Sequence, residues 1–286
     1  MAGGYGVGIY YSTDGKLWTQ SNLTSSVGCV YSANGIWVAG SSSYDGLYYS
    51  TDGKTWSNSN ITGKPCYSIY YANGLWVACV DAWGIYYSTD GKSWTRSNAP
   101  YSVFLSVCCA NGIWMAGGYD GIYYSTDGKT WTQSNMTSSS FNCVYYANNL
   151  WVAGGNGSDG LYYSTDGITW TQSDITSGGF TAIYYANGIW VAGGDGFYNG
   201  IYYSTDGKSW TQGNIRGAID KFYNANGIWV AGNHSNDGLY YSIDGKTWTK
   251  SNITSGGFES VYNANGIWVA ASSSKGLYYS VTWEGS

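Results

Sequence analysis

The stretch Gly8-Ile-Tyr-Tyr-Ser-Thr-Asp-Gly-Lys-Leu-Trp-Thr-Gln-Ser-Asn22, followed by Val30-Tyr-Ser-Ala-Asn-Gly-Ile-Trp-Val-Ala-Gly40, is spelled again with small changes along the whole chain. Its Tyr-Tyr-Ser triplet begins at Tyr10, Tyr48, Tyr86, Tyr123, Tyr162, Tyr202, Tyr240 and Tyr278, in steps of 37 to 40 residues. Each period holds only short aromatic and β-branched runs, with no helical 3.6 pattern. Two joins are tight turns. Asn34-Gly35 and its copies at Asn73, Asn111, Asn187, Asn226 and Asn265 suit a two-residue hairpin that needs positive φ, and Asn148-Asn149 is the one variant. The second join is Ser-Thr-Asp-Gly-Lys, whose Asp can accept backbone N–H groups within its own turn.

Four strands per period, repeated seven times, predict an all-β, seven-bladed β-propeller of four-stranded antiparallel blades. A lone blade cannot bury both faces of its sheet, so neighbouring blades must bury each other. The expected order from the axis outward is VYYA, IWVAG, GIYYS and WTQSN. The Asn-Gly and Asp-Gly turns then share one face, and the variable loops share the other. We expect a single domain over 1–286, with 1–26 and 272–286 taking part in ring closure. Third-strand copies number eight and inner strands seven, so the ends compete for one slot. The N-terminal hairpin Gly8–Asn22 is expected to supply the outer pair of the closing blade, leaving a surplus strand as an edge able to pair with another chain.

The turn Ser12-Thr13-Asp14-Gly15-Lys16-Leu17-Trp18 resembles the Asp-box of the Asp-box (BNR-repeat) β-propellers. It recurs at Ser50–Trp56, Ser88–Trp94, Ser125–Trp131, Ser164–Trp170, Ser204–Trp210 and Ser242–Trp248, and the near-identical copies resemble recently amplified propellers. The resemblance implies that each box joins the third and fourth strands of a blade. That family includes sialidases, other glycan-active enzymes, lectins and scaffold domains, so the fold does not select a function. A natural or an engineered repeat would look alike here.

Charged residues are 10% of the chain and the net charge is −5, which disfavours a nucleic-acid partner. The apolar runs are too short for a membrane span, and because Met1-Ala-Gly-Gly-Tyr-Gly-Val enters the repeat at once, no signal peptide is expected. The six cysteines, Cys29, Cys66, Cys79, Cys108, Cys109 and Cys143, replace other residues of the repeat and read as free buried thiols, which suggests a reducing compartment. Sequons such as Asn22-Leu-Thr, Asn60-Ile-Thr, Asn135-Met-Thr and Asn252-Ile-Thr read as by-products of repeat copying.

What recurs in every copy serves the fold. The box aspartates Asp14, Asp52, Asp90, Asp127, Asp166, Asp206 and Asp244 are structural, each alone in its turn, and no metal or cofactor is implied. Fourteen of sixteen Trp sit in two fixed slots, and Trp283 is a truncated copy. Only Trp83 falls outside the register. It shares the loop between second and third strands with Asp81, and the same loop in other blades carries Tyr44, Asp45, Tyr119, Asp120, Asp159, Asp195, Phe197, Tyr198, His234 and Asp237. Tyr101 lies in the other variable loop of that face. The disc is therefore expected to be acidic and aromatic on one face. Lys16, Lys54, Lys92, Lys129, Lys208 and Lys246 ring the other, with Ile168 in the seventh box.

These residues motivate a non-enzymatic, lectin-like propeller that stacks glycans on its variable-loop face. The alternative is a structural or protein-interaction scaffold. A glycoside hydrolase is the third reading, because only Asp220 and Glu259 offer carboxylates that could face each other near the axis. A monomer is expected, with a strand-mediated oligomer as the alternative.

Overall fold

A computed structural model describes residues 2–4, 8–13, 17–137, 139–157, 159–194, 200–232, 237–264, 266–272 and 276–280. The chain folds as the expected seven-bladed β-propeller, in antiparallel blades with almost no helix. The first strands of blades 1 to 7 are Val27–Ala33, Cys66–Ala72, Phe104–Ala110, Phe141–Ala147, Phe180–Ala186, Lys221–Ala225 and Phe258–Ala264. Blades 1 to 6 are four-stranded in the expected order, and blade 7 has three strands among the described residues.

Local chemistry sets each turn. Among the hairpin asparagines, Asn34, Asn73, Asn111, Asn187 and Asn226 all lie near φ +50°, followed by glycines that also take positive φ. In the first fully described box, the Ser50 hydroxyl donates to Asp52 Oδ1 at 2.9 Å and accepts the Gly53 amide at 2.8 Å. Asp52 Oδ1 also accepts the amides of Lys54 at 2.8 Å and Thr55 at 2.7 Å. The same arrangement recurs around Asp90, Asp127, Asp166, Asp206 and Asp244. Asp14 lies outside the described residues.

The core lies between blades. Met115 and Ile122 of blade 3 pack with Phe141, Val144 and Trp151 of blade 4, and equivalent clusters repeat around the ring. Burying such aromatic and aliphatic side chains contributes about 1.5–3 kcal/mol each. Polar staples reinforce the junctions. The Trp94 amide donates to Asn60 Oδ1 at 2.8 Å, and Asn60 Nδ2 returns a bond to the Trp94 carbonyl at 2.9 Å. Asn22–Trp56, Asn98–Trp131, Asn135–Trp170 and Asn214–Trp248 repeat this clamp. The sequon asparagines Asn22, Asn60 and Asn135 thus recur because each ties its blade to the next.

Strands from both ends of the chain meet at ring closure, as expected, but the N-terminal hairpin is placed differently. The hairpin Gly8–Asn22 does not become the outer pair of blade 7, which keeps its own third strand Gly276–Ser280. Instead it pairs with Ala2–Gly4 in a separate three-stranded sheet. The register explains why. Ala2↔Tyr10, Gly3↔Ile9 and Gly4↔Gly8 repeat the pairing Ala116↔Tyr123, Gly117↔Ile122 and Gly118↔Gly121 of blade 3. Ala2-Gly3-Gly4 is therefore the end of a second strand, and it claims the hairpin locally. This strand lies beside the first strand of blade 1 and the second strand of blade 7, Ile267–Ser272, so strands from both ends of the chain meet in the ring. Ile9 and Leu23 then pack on Val27, Ala39 and Trp56 as one blade packs on the next.

Candidate functional site

Among the described residues, the off-register aromatics of the variable-loop face lie on blades 1 to 3. Trp83 ends a single 3-10 turn, Asp81–Trp83, between the second and third strands of blade 2. Tyr101, from the loop that follows the outermost strand of that blade, meets it edge to face, with ring centroids 6.2 Å apart at 75°. Both rings are open to solvent, Trp83 by 44% and Tyr101 by 69%. Tyr44 of blade 1 and Tyr119 of blade 3 are also exposed.

Two cations that sequence reasoning did not place here complete the arrangement. Lys64 puts its ammonium 3.2 Å from the Trp83 ring centroid. Arg96 lies in the outermost strand Thr95–Arg96, and its side chain reaches back over Tyr101 at 3.8 Å. Its guanidinium also donates to the carbonyls of Trp83 at 3.0 Å, Ser97 at 3.2 Å and Ala99 at 2.6 Å. One side chain thus fixes both loops. The signal that could have found these residues is the one that found Trp83: neither Lys64 nor Arg96 recurs in the other copies. The face is therefore not purely acidic and aromatic, because blade 2 interleaves cations with its rings.

Tyr67, at the start of the first strand of blade 2, is a further residue the sequence reading passed over. Its hydroxyl donates to Asp81 Oδ1 at 3.0 Å. Partial burial pushes its pKa up to about 12, and the Asp81 hydrogen bond and charge add to this, as do the phenols of Tyr119 and Tyr44. Tyr67 thus ties the first strand of blade 2 to the Asp81 loop.

The remaining candidates are scattered or serve their own turns. Asp45 accepts the Ser41 hydroxyl at 3.3 Å. The Asp120 carbonyl accepts Gln133 Nε2 at 2.7 Å. Asp159 accepts the Ser140 amide at 3.3 Å, over in blade 4. Asp237 bridges to Gly256 in blade 6, away from the cluster. Asp195, Phe197, Tyr198 and His234 lie outside the described residues. Asp220 is buried and accepts the Thr181 hydroxyl of the neighbouring blade at 3.1 Å, while the Glu259 side chain lies outside the described ones.

On the opposite face the box lysines are engaged with the ring itself. Lys54, Lys92, Lys129, Lys208 and Lys246 each sit 5.4–5.9 Å from a tyrosine ring centroid of the preceding sheet. Nearer the axis, Tyr31, Tyr70, Tyr145, Tyr184, Tyr223 and Tyr262 occupy one position of successive first strands, and Cys108 takes it in blade 3. Neighbouring rings of this set lie 5.3 Å apart for Tyr31–Tyr70 and 4.8 Å for Tyr223–Tyr262. Burial pushes Tyr70, Tyr145 and Tyr223 up to about 12, so these phenols stay neutral. All six cysteines are free.

No family model matches the chain, and no curated protein does. Solved structures match its fold. A computationally designed protein, Ika8, superposes with a TM-score of 0.70 at 13% identity, covering 90% of this chain and 83% of that one. YCF48 bound to D1 peptide gives 0.67 at 16% identity, with 92% and 96% covered. An ancestral GH74 enzyme gives 0.65 at 13% identity, and the match spans 89% of this chain but only 46% of the enzyme. At these identities the likeness is one of fold.

Proposed function

We propose that the chain is a non-enzymatic propeller of the Asp-box type that binds a protein segment through the loops of blades 1 to 3. The box type is supported by the recurring Ser–Asp–amide network and by its place between third and fourth strands. The single observation that carries the binding reading is the Trp83–Tyr101 pair with Lys64 and Arg96 on its rings. Trp, Tyr and Arg dominate the energetics of protein interfaces, because large rigid rings and a planar fork bury much area at little entropic cost. Here they stand on loops held by a rigid ring, where binding residues are usually found. A glycan-stacking platform wants open, flat ring faces. On Trp83 and Tyr101 one face is already taken by a cation and the rings meet edge to face. YCF48, a propeller similar in fold, has been captured with a peptide.

Glycan binding is the second reading, favoured by the exposed rings of Tyr44, at 75%, and Tyr119, at 52%. A glycan array and a displayed-peptide selection, run side by side, separate the two. Peptide retention that disappears in Trp83→Ala, with a blank array, supports the protein-binding reading. Glycan retention lost in Trp83→Ala or Tyr119→Ala, without peptide enrichment, would replace it.

A further inference from the structure

The two cations on the blade 2 rings belong to the chain itself, and they demonstrate what those rings accept. We infer that the strip around Trp83 is a docking surface for a basic protein segment, whose Lys or Arg side chains compete with Lys64 for the aromatic faces. The inference rests on the protein-binding reading above and adds the chemistry of the partner.

An aromatic face is negative and attracts ammonium or guanidinium groups, by about 0.5–2 kcal/mol depending on desolvation. Trp83, Tyr101 and Tyr119 offer such faces at 44%, 69% and 52% exposure. Asp45, Asp81 and Asp120 flank them in the same loops, and the net charge of the chain is −5. A basic segment is steered toward such a face, whereas an acidic one is repelled by it. An Asp81 carboxylate already oriented by the Tyr67 hydroxyl retains capacity for further donors.

The two cations differ in how they are held. Three backbone carbonyls fix the Arg96 guanidinium, so it is part of the scaffold. Lys64 is a point charge on a flexible four-carbon stem, in the turn Gly63-Lys64-Pro65, and it covers the ring without such a fork. Lys64 is therefore the exchangeable ligand, an internal competitor that a basic segment displaces. For an acidic segment Lys64 would be the anchor instead. Removing it must then act in opposite directions for the two kinds of partner.

The experiment is a selection of random dodecapeptides displayed on phage, carried out in parallel on the full chain and on its Trp83→Ala and Tyr119→Ala variants, at physiological salt. Enriched peptides are then synthesised and titrated against wild type and Lys64→Ala by fluorescence anisotropy. The expected pool is rich in Lys and Arg and is lost on the Trp83 variant. The expected peptides bind Lys64→Ala about five-fold more tightly and weaken as salt is raised. A pool rich in Asp and Glu, a pool without charge bias, or weaker binding to Lys64→Ala would overturn the basic-segment inference and leave the protein-binding reading standing. No enrichment on wild type above both ring variants would overturn both.

Discussion

Asp174 accepts the Trp210 amide on both carboxylate oxygens, at 3.0 and 3.2 Å. At five other junctions an Asn accepts the same amide and also donates to the Trp carbonyl, which a carboxylate cannot do. Trp210 thus keeps one half of the clamp and loses the other. A hydrogen bond of this kind contributes about 0.5–1.5 kcal/mol net. Asp174→Asn, made in a host that does not glycosylate, is expected to raise stability by about 1 kcal/mol. Asn60→Ala is expected to lower it by a similar amount or more, because it orphans the Trp94 amide. Denaturant unfolding followed by tryptophan fluorescence measures both, and equal midpoints for Asp174→Asn and wild type would refute the clamp as a source of stability.

Glycines that share a positive φ should differ sharply in what they tolerate. Gly121 sits at φ +107°, and a Cβ there would lie 1.8 Å from the Met136 carbonyl oxygen, so its loop must move. Gly35 sits at φ +74°, and a Cβ there would have no atom within 4 Å. Gly35→Ala is expected to cost about 1–2 kcal/mol from backbone strain alone. Gly121→Ala should cost about 3 kcal/mol, since backbone clash adds to that strain. Thermal unfolding of the two variants tests the order.

Acid should unfold the protein through its box aspartates. The amides of Thr55 and Lys54 and the Ser50 hydroxyl hold the Asp52 carboxyl down at about 2. At Asp127 burial works the other way, but bonds from Thr130, Lys129 and Ser125 outweigh it and again bring the value to about 2. Asp90, Asp166, Asp206 and Asp244 are lowered for the same reasons. A depressed carboxyl adds stability that is fully present above its unfolded value of about 4 and drains away as pH falls toward 2. Circular dichroism is expected to show the loss between those limits, with a shallower pH dependence for Asp127→Asn. A transition that begins above pH 5 would contradict it.

Arg96→Lys should not be a conservative change. A lysine cannot reach the carbonyls of Trp83, Ser97 and Ala99 with one planar group. Hydrogen exchange is expected to speed up around residues 81–84 and 97–103 in this variant while the amides of blade 5 stay protected. Unchanged exchange in those two loops would show that Arg96 does not position them.

Much of the fold was legible because its determinants are local. Asn34-Gly35 announces a hairpin through backbone preference, and Ser50-Thr-Asp-Gly closes its own hydrogen bonds within six residues. Trp83 stood out for the converse reason: it occupies a position where other copies carry no Trp. Arg96 did not stand out, because its place in an outermost strand does not reveal which loops its side chain reaches. Only the packed loops show it turning inward to serve two of them. The closing sheet was misread in a similar way, since Ala2-Gly3-Gly4 is too short to register as a strand until it is seen paired with Gly8–Tyr10.

By itself the sequence determined the number of blades, the strand order and the turns, because each repeats a chemistry satisfied within a few neighbouring residues. The tertiary structure alone decided which residues 33 to 36 apart clamp one blade to the next. It also decided which cations rest on which rings, and which strand from the N-terminal segment meets blade 7. Those pairings depend on distances between blades, and these exist only once the ring brings the sheets side by side.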